Sequence, residues 1–456
     1  MSSKRLDPST VALLQDAASR SLRYLAGLGD RSVAPSADAV RALARLDEPL
    51  PHLSSDPAET LALLDAVVSP ATMAMAGPRF FGFVIGGALP VTVASNWLAT
   101  AWDQNTALQR ATPGVSHLEV VALRWLLELL DLPRESGGSF VTGATMANMT
   151  ALAAARHRLL ANAGWSVEAQ GLFGAPPLTV VVGAEAHPTL LKSLALLGLG
   201  HERVRRVPVD AQGRMRIESL PAIDGPTIIC TQAGNINSGA FDPIDDICTR
   251  VAGSGAWVHV DGAFGLWARV SPRLATQAKG LDRADSWATD AHKWLNVPYD
   301  SGLAFVRDQA ALRAAMSISA AYLPANTEGR DPSDFTPELS RCARAVDIWA
   351  AMRSLGRDGV RAMIERNCDQ ANLFAQRLGA AGHEILNEVV LNQVVVSFGS
   401  DANTRRVVKA IQDDGSCWAG TTVWKGRTAM RISVCNWSTT DADVERSVAA
   451  ILRAAG

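Results

Sequence analysis

From about residue 76 onward the chain repeats one pattern: four or five apolar, mostly β-branched residues in a row, then Gly, Asp or a similar turn-former, then a helical stretch. Ser139–Thr142, Leu178–Val182, Thr227–Cys230, Trp257–Val260 and Leu303–Val306 are the clearest such runs. Strands that are apolar throughout must be covered on both faces, and strands joined through helices run parallel. The pattern predicts an α/β fold around a mainly parallel central sheet. Ligands in such sheets bind along the carboxyl ends of the strands.

The flanks read differently. Residues 8 to 75 show apolar spacing near 3.6, from Thr10 through Leu25 and again over Leu61–Val68, with a Pro-rich link at Pro35–Pro57 between them. After a Pro/Asp/Gly-rich stretch, Pro324–Pro337, a long helical pattern runs from about Glu338 to Leu378. The runs Val389–Ser397 and Ala429–Val434 and a terminal helix complete an α+β tail. The reading is an N-terminal helical segment over 1–75, a large α/β domain over 76–335 and a smaller C-terminal α+β domain over 336–456.

At 456 residues and 48% hydrophobic composition, the chain can bury a large core. A net charge of −2 gives no field that would gather nucleic acid or anionic lipid. The six cysteines are scattered, with neither C-x-x-C nor zinc-like spacing, and read as reduced thiols. The start, Met1-Ser-Ser-Lys-Arg-Leu-Asp-Pro, has no apolar h-region, and about 18 uncharged apolar residues nowhere run together, so a cytoplasmic protein is expected.

Four segments at predicted strand ends carry polar residues suited to one phosphorylated aromatic cofactor. In Thr142-Gly-Ala-Thr-Met-Ala-Asn-Met-Thr150 a strand stops at small residues and a helix begins at once, which aims free backbone N–H groups and the Thr145 hydroxyl at an anion. Asp261, in Trp257-Val-His-Val-Asp-Gly-Ala263, ends an apolar strand, where a carboxylate is costly without a cation. A protonated pyridine nitrogen is such a cation. Lys293, in Asp290-Ala-His-Lys-Trp294, sits in small and apolar surroundings that favour a neutral amine, as Schiff-base formation requires. His187 follows a strand in Val182-Gly-Ala-Glu-Ala-His-Pro188, where an imidazole can stack on a cofactor ring. Taken singly, each has a structural reading: a Thr cap, a turn-capping Asp, a surface Lys, a core His. A metal at His259 and Asp261 is disfavoured because no third ligand stands nearby.

Together these segments resemble the PLP-dependent group II amino-acid decarboxylase family, the aromatic-amino-acid and glutamate decarboxylase relatives within fold type I (aspartate-aminotransferase-like). The resemblance covers about residues 70 to 440. It is carried by Phe80-Phe81, Ser116–Glu119, Gly143–Asn148, Ala186-His-Pro188 with Lys192, Asp242-Pro243, His259–Ala263, Ala284-Asp-Ser286, His292-Lys-Trp294, and Ser340-Arg341 with Trp349.

The resemblance implies pyridoxal 5'-phosphate (PLP) held as a Schiff base on Lys293, with Asp261 on the pyridine nitrogen, His187 stacked on the ring and Ala263 against it. Ala144, Thr145 and Ser286 would hold the phosphate, with His292 on the phosphate side and Gly143 a further cofactor contact. Asn235 stands in place of a Thr-type turn and is a further candidate cofactor contact, and Asp290 stands where relatives often carry Asn. A homodimer is implied, with the N-terminal helices packing on the partner subunit.

The activity implied is a carboxy-lyase releasing CO₂ and an amine from an L-amino acid. In those relatives a mobile loop carries a Tyr that helps protonate the carbanion. Here the matching stretch, Leu323–Phe335, has none, and the chain's three tyrosines are Tyr24, Tyr299 and Tyr322. The acid is then His187, Lys293 or water, and decarboxylation coupled to oxidative deamination to an aldehyde is the alternative outcome. An aminotransferase, with Arg431 as its carboxylate clamp, and a cofactor-binding protein without turnover are the other readings. No G-x-G-x-x-G or G-x-x-x-x-G-K-[ST] occurs at a strand-to-helix turn, which argues against nucleotide binding. Phe83 and Val84-Ile85 point to a partly hydrophobic substrate pocket.

Overall fold

The structure is a computed structural model that describes residues 6–318 and 329–456. A seven-stranded sheet contains β1 (Gly137–Val141), β2 (Thr179–Gly183), β3 (Arg205–Val207), β4 (Thr227–Gln232), β5 (Trp257–Asp261), β6 (Ser286–Asp290) and β7 (Gly302–Val306), in the order β1-β7-β6-β5-β4-β2-β3. From β3 to β6 every pairing is parallel, while β7 runs antiparallel to both β6 and β1. The sheet is mainly parallel, as the apolar runs predict.

Successive strand residues feed opposite cores. Ile229, Val258, Trp287 and Phe305 enter one cluster, and Ile228, Trp257, Ala288 and Ala304 the other. The second cluster is closed by the helix Ala144–Asn162, whose Ala147, Ala151, Ala154 and Ala155 let it lie close across β6 and β7.

A smaller antiparallel sheet holds β8 (Glu384–Ile385), β9 (Gln393–Ser397), β10 (Gly420–Trp424) and β11 (Arg427–Ser433), in the order β10-β11-β9-β8. It packs against the helices Asp401–Asp414 and Asp441–Ala455. The long helix begins at Ala345 rather than Glu338, ends at Ala380, and is interrupted at Gly356, whose φ of 62° favours glycine. Its first part packs with the helices Pro90–Trp102 and Pro113–Leu129, and its second part reaches the small sheet.

Near the N-terminus, the helices Pro8–Ala26, Ala37–Ala42 and Pro57–Ala71 are capped by Asp7, Ser36 and Asp56. Val67 is their one buried residue, and Leu14, Leu22 and Leu64 are more than half exposed. Among the described residues no helix is long and apolar enough to cross a membrane.

Besides the two-residue β8, three strands lack the signal that reveals the others. β3 exposes two arginines, β10 alternates at an edge, and β6 (Ser-Trp-Ala-Thr-Asp) is fully buried although three of its five residues are polar. The run from Val389 becomes a strand only at Gln393, with a turn before it.

Candidate active site

The carboxyl ends of the parallel strands open onto a cavity of about 300 Å³. Its wall is built from four strand ends: Thr142–Met146 after β1, His187 and Thr189 after β2, Gln232 and Gly234 at β4, and Asp261 with Ala263 at β5. Asp290, His292 and Lys293 close it after β6. Segments more than a hundred residues apart therefore meet because each ends a neighbouring strand at the same sheet edge.

Asp261 is buried, and the Ala263 amide reaches its carboxylate at 3.3 Å. Burial is the largest influence on it and pushes it up, while His187, Lys293 and the Ala263 amide pull it back. A buried carboxylate so placed is completed by a cation.

His187 caps the helix Pro188–Leu196. Its Nδ1 accepts the Thr189 amide at 3.3 Å and lies 2.7 Å from the Thr189 hydroxyl, which leaves the ring proton of the neutral form on Nε2. Burial holds its pKa below the ordinary value, helped by the Lys293 and Arg431 charges and opposed by Asp261.

The first helical bond after β1 runs from Ala147 N to Gly143 O at 2.9 Å. By helix geometry the amides of Ala144, Thr145 and Met146 have no carbonyl a turn earlier to reach. Asp290 takes the first of them, at 2.6 Å. Gly302 is required by a close approach: it crosses Gly143 so tightly that a Cβ on Gly302 would lie 2.4 Å from the Gly143 Cα. His292 lies beside Gly143, accepts the Ser301 amide on Nδ1 at 3.0 Å, and stacks on Tyr299 with ring centroids 4.2 Å apart. Burial lowers its pKa.

Lys293 is not an amine acted on by burial alone. Its Nζ stands 2.9 Å from Asp290 Oδ2, an ion pair that sequence reasoning did not include. Behind it, Gly86 is pressed so close that a Cβ there would meet the Lys293 carbonyl oxygen at 1.9 Å. The neighbouring Phe83 and Val84 are held at φ of 55° and 57°, a strained conformation for a β-branched residue.

Two of the predicted contact residues stand away from the cavity. Ser286 starts β6, four residues before Asp290, or roughly 13 Å up the strand from the cavity edge at about 3.3 Å per residue. Its hydroxyl accepts from Trp257 Nε1 and lies 2.8 Å from His259 Nδ1, so it is spent inside the core. Asn235 is buried in the turn after β4, where its carbonyl accepts the amides of Asn237 at 2.9 Å and Ser238 at 3.2 Å. It does not line the cavity. Gly143, Ala144, Thr145, His187, Asp261, Ala263, His292 and Lys293 do. Asp290 and the Met146 amide are the neighbours the sequence left unassigned. An Asp three residues before the Lys, in the same short motif, was the available signal.

The part of the Leu323–Phe335 stretch that belongs to the described residues ends in a buried Phe335 under the Arg330 guanidinium, 3.8 Å from the ring centroid. Tyr322 and Leu323–Glu328 lie outside the described residues.

The cavity offers a buried carboxylate for a protonated ring nitrogen, a lysine, an imidazole and a helix N-terminus for an anion. This donor set fits PLP, and a mainly parallel sheet presenting it at its carboxyl edge defines a PLP enzyme of fold type I. The fold matches that of Oryza sativa TDC, solved with PLP and tryptamine, with a TM-score of 0.90, 24% identity and 99% of each chain covered. Mouse CSAD matches with a TM-score of 0.90 and 22% identity over 98% of this chain and 99% of that one.

Residues 44–399 match the model of the pyridoxal-dependent decarboxylase conserved domain, and the chain belongs to that family. The aromatic-L-amino-acid decarboxylase of Bacillus atrophaeus is 28% identical over 418 residues, 87% of this chain and 85% of that protein. L-2,4-diaminobutyrate decarboxylase of Rhizobium meliloti (strain 1021) is 29% identical over 427 residues, 89% and 83%. The protein is a PLP-dependent amino-acid decarboxylase, a carboxy-lyase.

Proposed function

We propose that this enzyme converts an L-amino acid to its amine and CO₂ on PLP carried by Lys293, with Asp261 on the ring nitrogen and His187 against the ring. The observation that carries this assignment is the convergence of Lys293, Asp261, His187 and a helix N-terminus on one cavity. Bound PLP supplies the electron sink for the pair left at Cα when the carboxylate departs.

The chain's own residues do the rest. Asp261, anionic and buried, favours the protonated, electron-withdrawing form of the pyridine. The Thr145 and Met146 amides, the Thr145 hydroxyl and His292 receive the phosphate, while Gly143 and Ala144 let the backbone approach. Ala263, whose amide steadies Asp261, packs against the ring. The Nε2 proton of His187 and an Nζ proton of Lys293 would be two proton sources for the substrate Cα without a loop tyrosine.

A homodimer completes this reading. The N-terminal helices leave apolar side chains uncovered, and an apolar groove of about 610 Å³ lies between Leu98, Trp102, Val115, Leu118, Val346 and Trp349. Both are surfaces that a second copy would bury. The division at 1–75, 76–335 and 336–456 belongs to the same proposal, as does a cytoplasmic location, supported by six free cysteines of which five are buried.

The test is an incubation of the PLP-loaded protein with a pool of L-amino acids, scoring CO₂, amine, aldehyde and keto acid. Equal CO₂ and amine are expected. Aldehyde with CO₂ would move the product assignment to oxidative deamination, and keto acid without CO₂ would overturn it.

A further inference from the structure

Asp261 is approached from inside the protein as well as from the cavity. His259 lies two residues earlier on β5, so both side chains leave the same face of the strand. His259 is fully buried and bridged at both ring nitrogens: Nδ1 is 2.8 Å from Ser286 Oγ, and Nε2 is 2.8 Å from Asn148 Oδ1. Trp257 Nε1 donates to the same Ser286 oxygen at 2.8 Å.

Chemistry fixes the direction of this chain. Trp257 has only a donor, so Ser286 accepts from it and has its own hydrogen to give to His259 Nδ1. The neutral His259 then carries its proton on Nε2 and donates to the Asn148 carbonyl. That leaves Asn148 Nδ2 as a buried donor without a hydrogen-bond partner, and the Asn148 side chain favours the ionised form of Asp261. The reverse polarity would set the Asn148 carbonyl against that carboxylate, acceptor facing acceptor.

We propose that Trp257, Ser286, His259 and Asn148 form a one-way hydrogen-bond chain whose free end, the Asn148 Nδ2 donor, is directed at Asp261, making Asn148, His259 and Ser286 positioning residues for the cofactor. The inference rests on the reading of Asp261 as partner of the pyridine nitrogen. It gives Ser286 a role in the site without contact to the phosphate.

Supporting electrostatics agree in sign. Burial pushes Asp261 up, and the Asn148 side chain pulls it down together with His187, Lys293 and the Ala263 amide. Burial pushes His259 down to about 3, keeping it the neutral relay the chain needs. The groups facing Asp261 are His187 after β2, Lys293 after β6 and the buried Cys230 thiol on β4, with Asp290 and Arg431 acting on His187.

The experiment is PLP affinity as a function of pH, by absorbance titration of protein stripped of cofactor, for wild type, Asn148→Ala, Ser286→Ala and Asp261→Asn. Protonating Asp261 removes the partner of the ring nitrogen, so affinity has an acid limb. Losing the Asn148 donor raises the Asp261 pKa, so in Asn148→Ala that limb moves to higher pH and affinity at neutral pH falls about ten-fold. Ser286→Ala, a smaller change that tests the chain even if Asn148→Ala fails to fold, moves the limb the same way by less. A structural lesion lowers affinity at every pH and leaves the limb in place. An unmoved limb in Asn148→Ala or Ser286→Ala, with Asp261→Asn abolishing it, overturns the chain and spares the assignment of Asp261. If Asp261→Asn itself binds PLP with the wild-type profile, the assignment of Asp261 falls, and the chain falls with it.

Discussion

Lys293 Nζ and Asp290 Oδ2 stand 2.9 Å apart, and the other oxygen of the same carboxylate accepts the Ala144 amide at 2.6 Å. One buried carboxylate thus holds the lysine amine and the first amide of the helix proposed to face the phosphate. Relief of that double hold is a measurable event.

Asp290→Asn keeps the shape and removes the charge. The helix N-terminus then meets the phosphate without a competing anion, which at a helix end is worth about 1 kcal/mol. PLP affinity should rise several-fold in absorbance titrations, most at low ionic strength. Weaker binding would mean that Asp290 supports the site as an anion.

Lys293→Ala removes the proposed covalent anchor and the ion pair to Asp290. The purified variant should lose its visible cofactor band on dialysis, and CO₂ release should fall by roughly three orders of magnitude or more. A variant that stays yellow after dialysis would place the anchor elsewhere.

Gly86→Ala tests the wall behind the lysine. A Cβ 1.9 Å from the Lys293 carbonyl oxygen cannot be accommodated without moving one backbone or the other. A loss of about 1–3 kcal/mol in urea unfolding is expected, with weakened PLP binding. Wild-type values for both would show that the Phe83–Gly87 segment is not held against Lys293.

His259 gives a pH signature of stability. Burial lowers it to about 3 from an ordinary 6.5, so between those values the unfolded chain binds the extra proton. Its contribution is whole above about pH 6.5 and is lost as pH falls toward 3, at up to roughly 1.4 kcal/mol per unit. Asp242, pushed up to about 7 by burial against the pull of the Met215 and Gln232 amides, acts with the opposite sign. The useful quantity is therefore the gap in unfolding free energy between wild type and His259→Asn, which should close as pH drops below about 6.5. Parallel curves would show that His259 is not held neutral.

The apolar runs by themselves determined the parallel sheet, because a strand buried on both faces writes its burial into consecutive residues. They also placed Thr145, His187 and Asp261 at strand ends, and strand ends of one parallel sheet share an edge. β6 escaped that reading, since its Ser286, Thr289 and Asp290 are polar yet buried, satisfied by partners distant in sequence. Only the tertiary structure decided what each polar group faces. Ser286 and Asp290 belong to the same short motif, but four residues of extended chain separate a core hydroxyl bonded to His259 from a carboxylate in the cavity. Asn235 spends its carbonyl on its own turn. Hydrogen-bond partners are set by distance in space, and a sequence records distance along the chain.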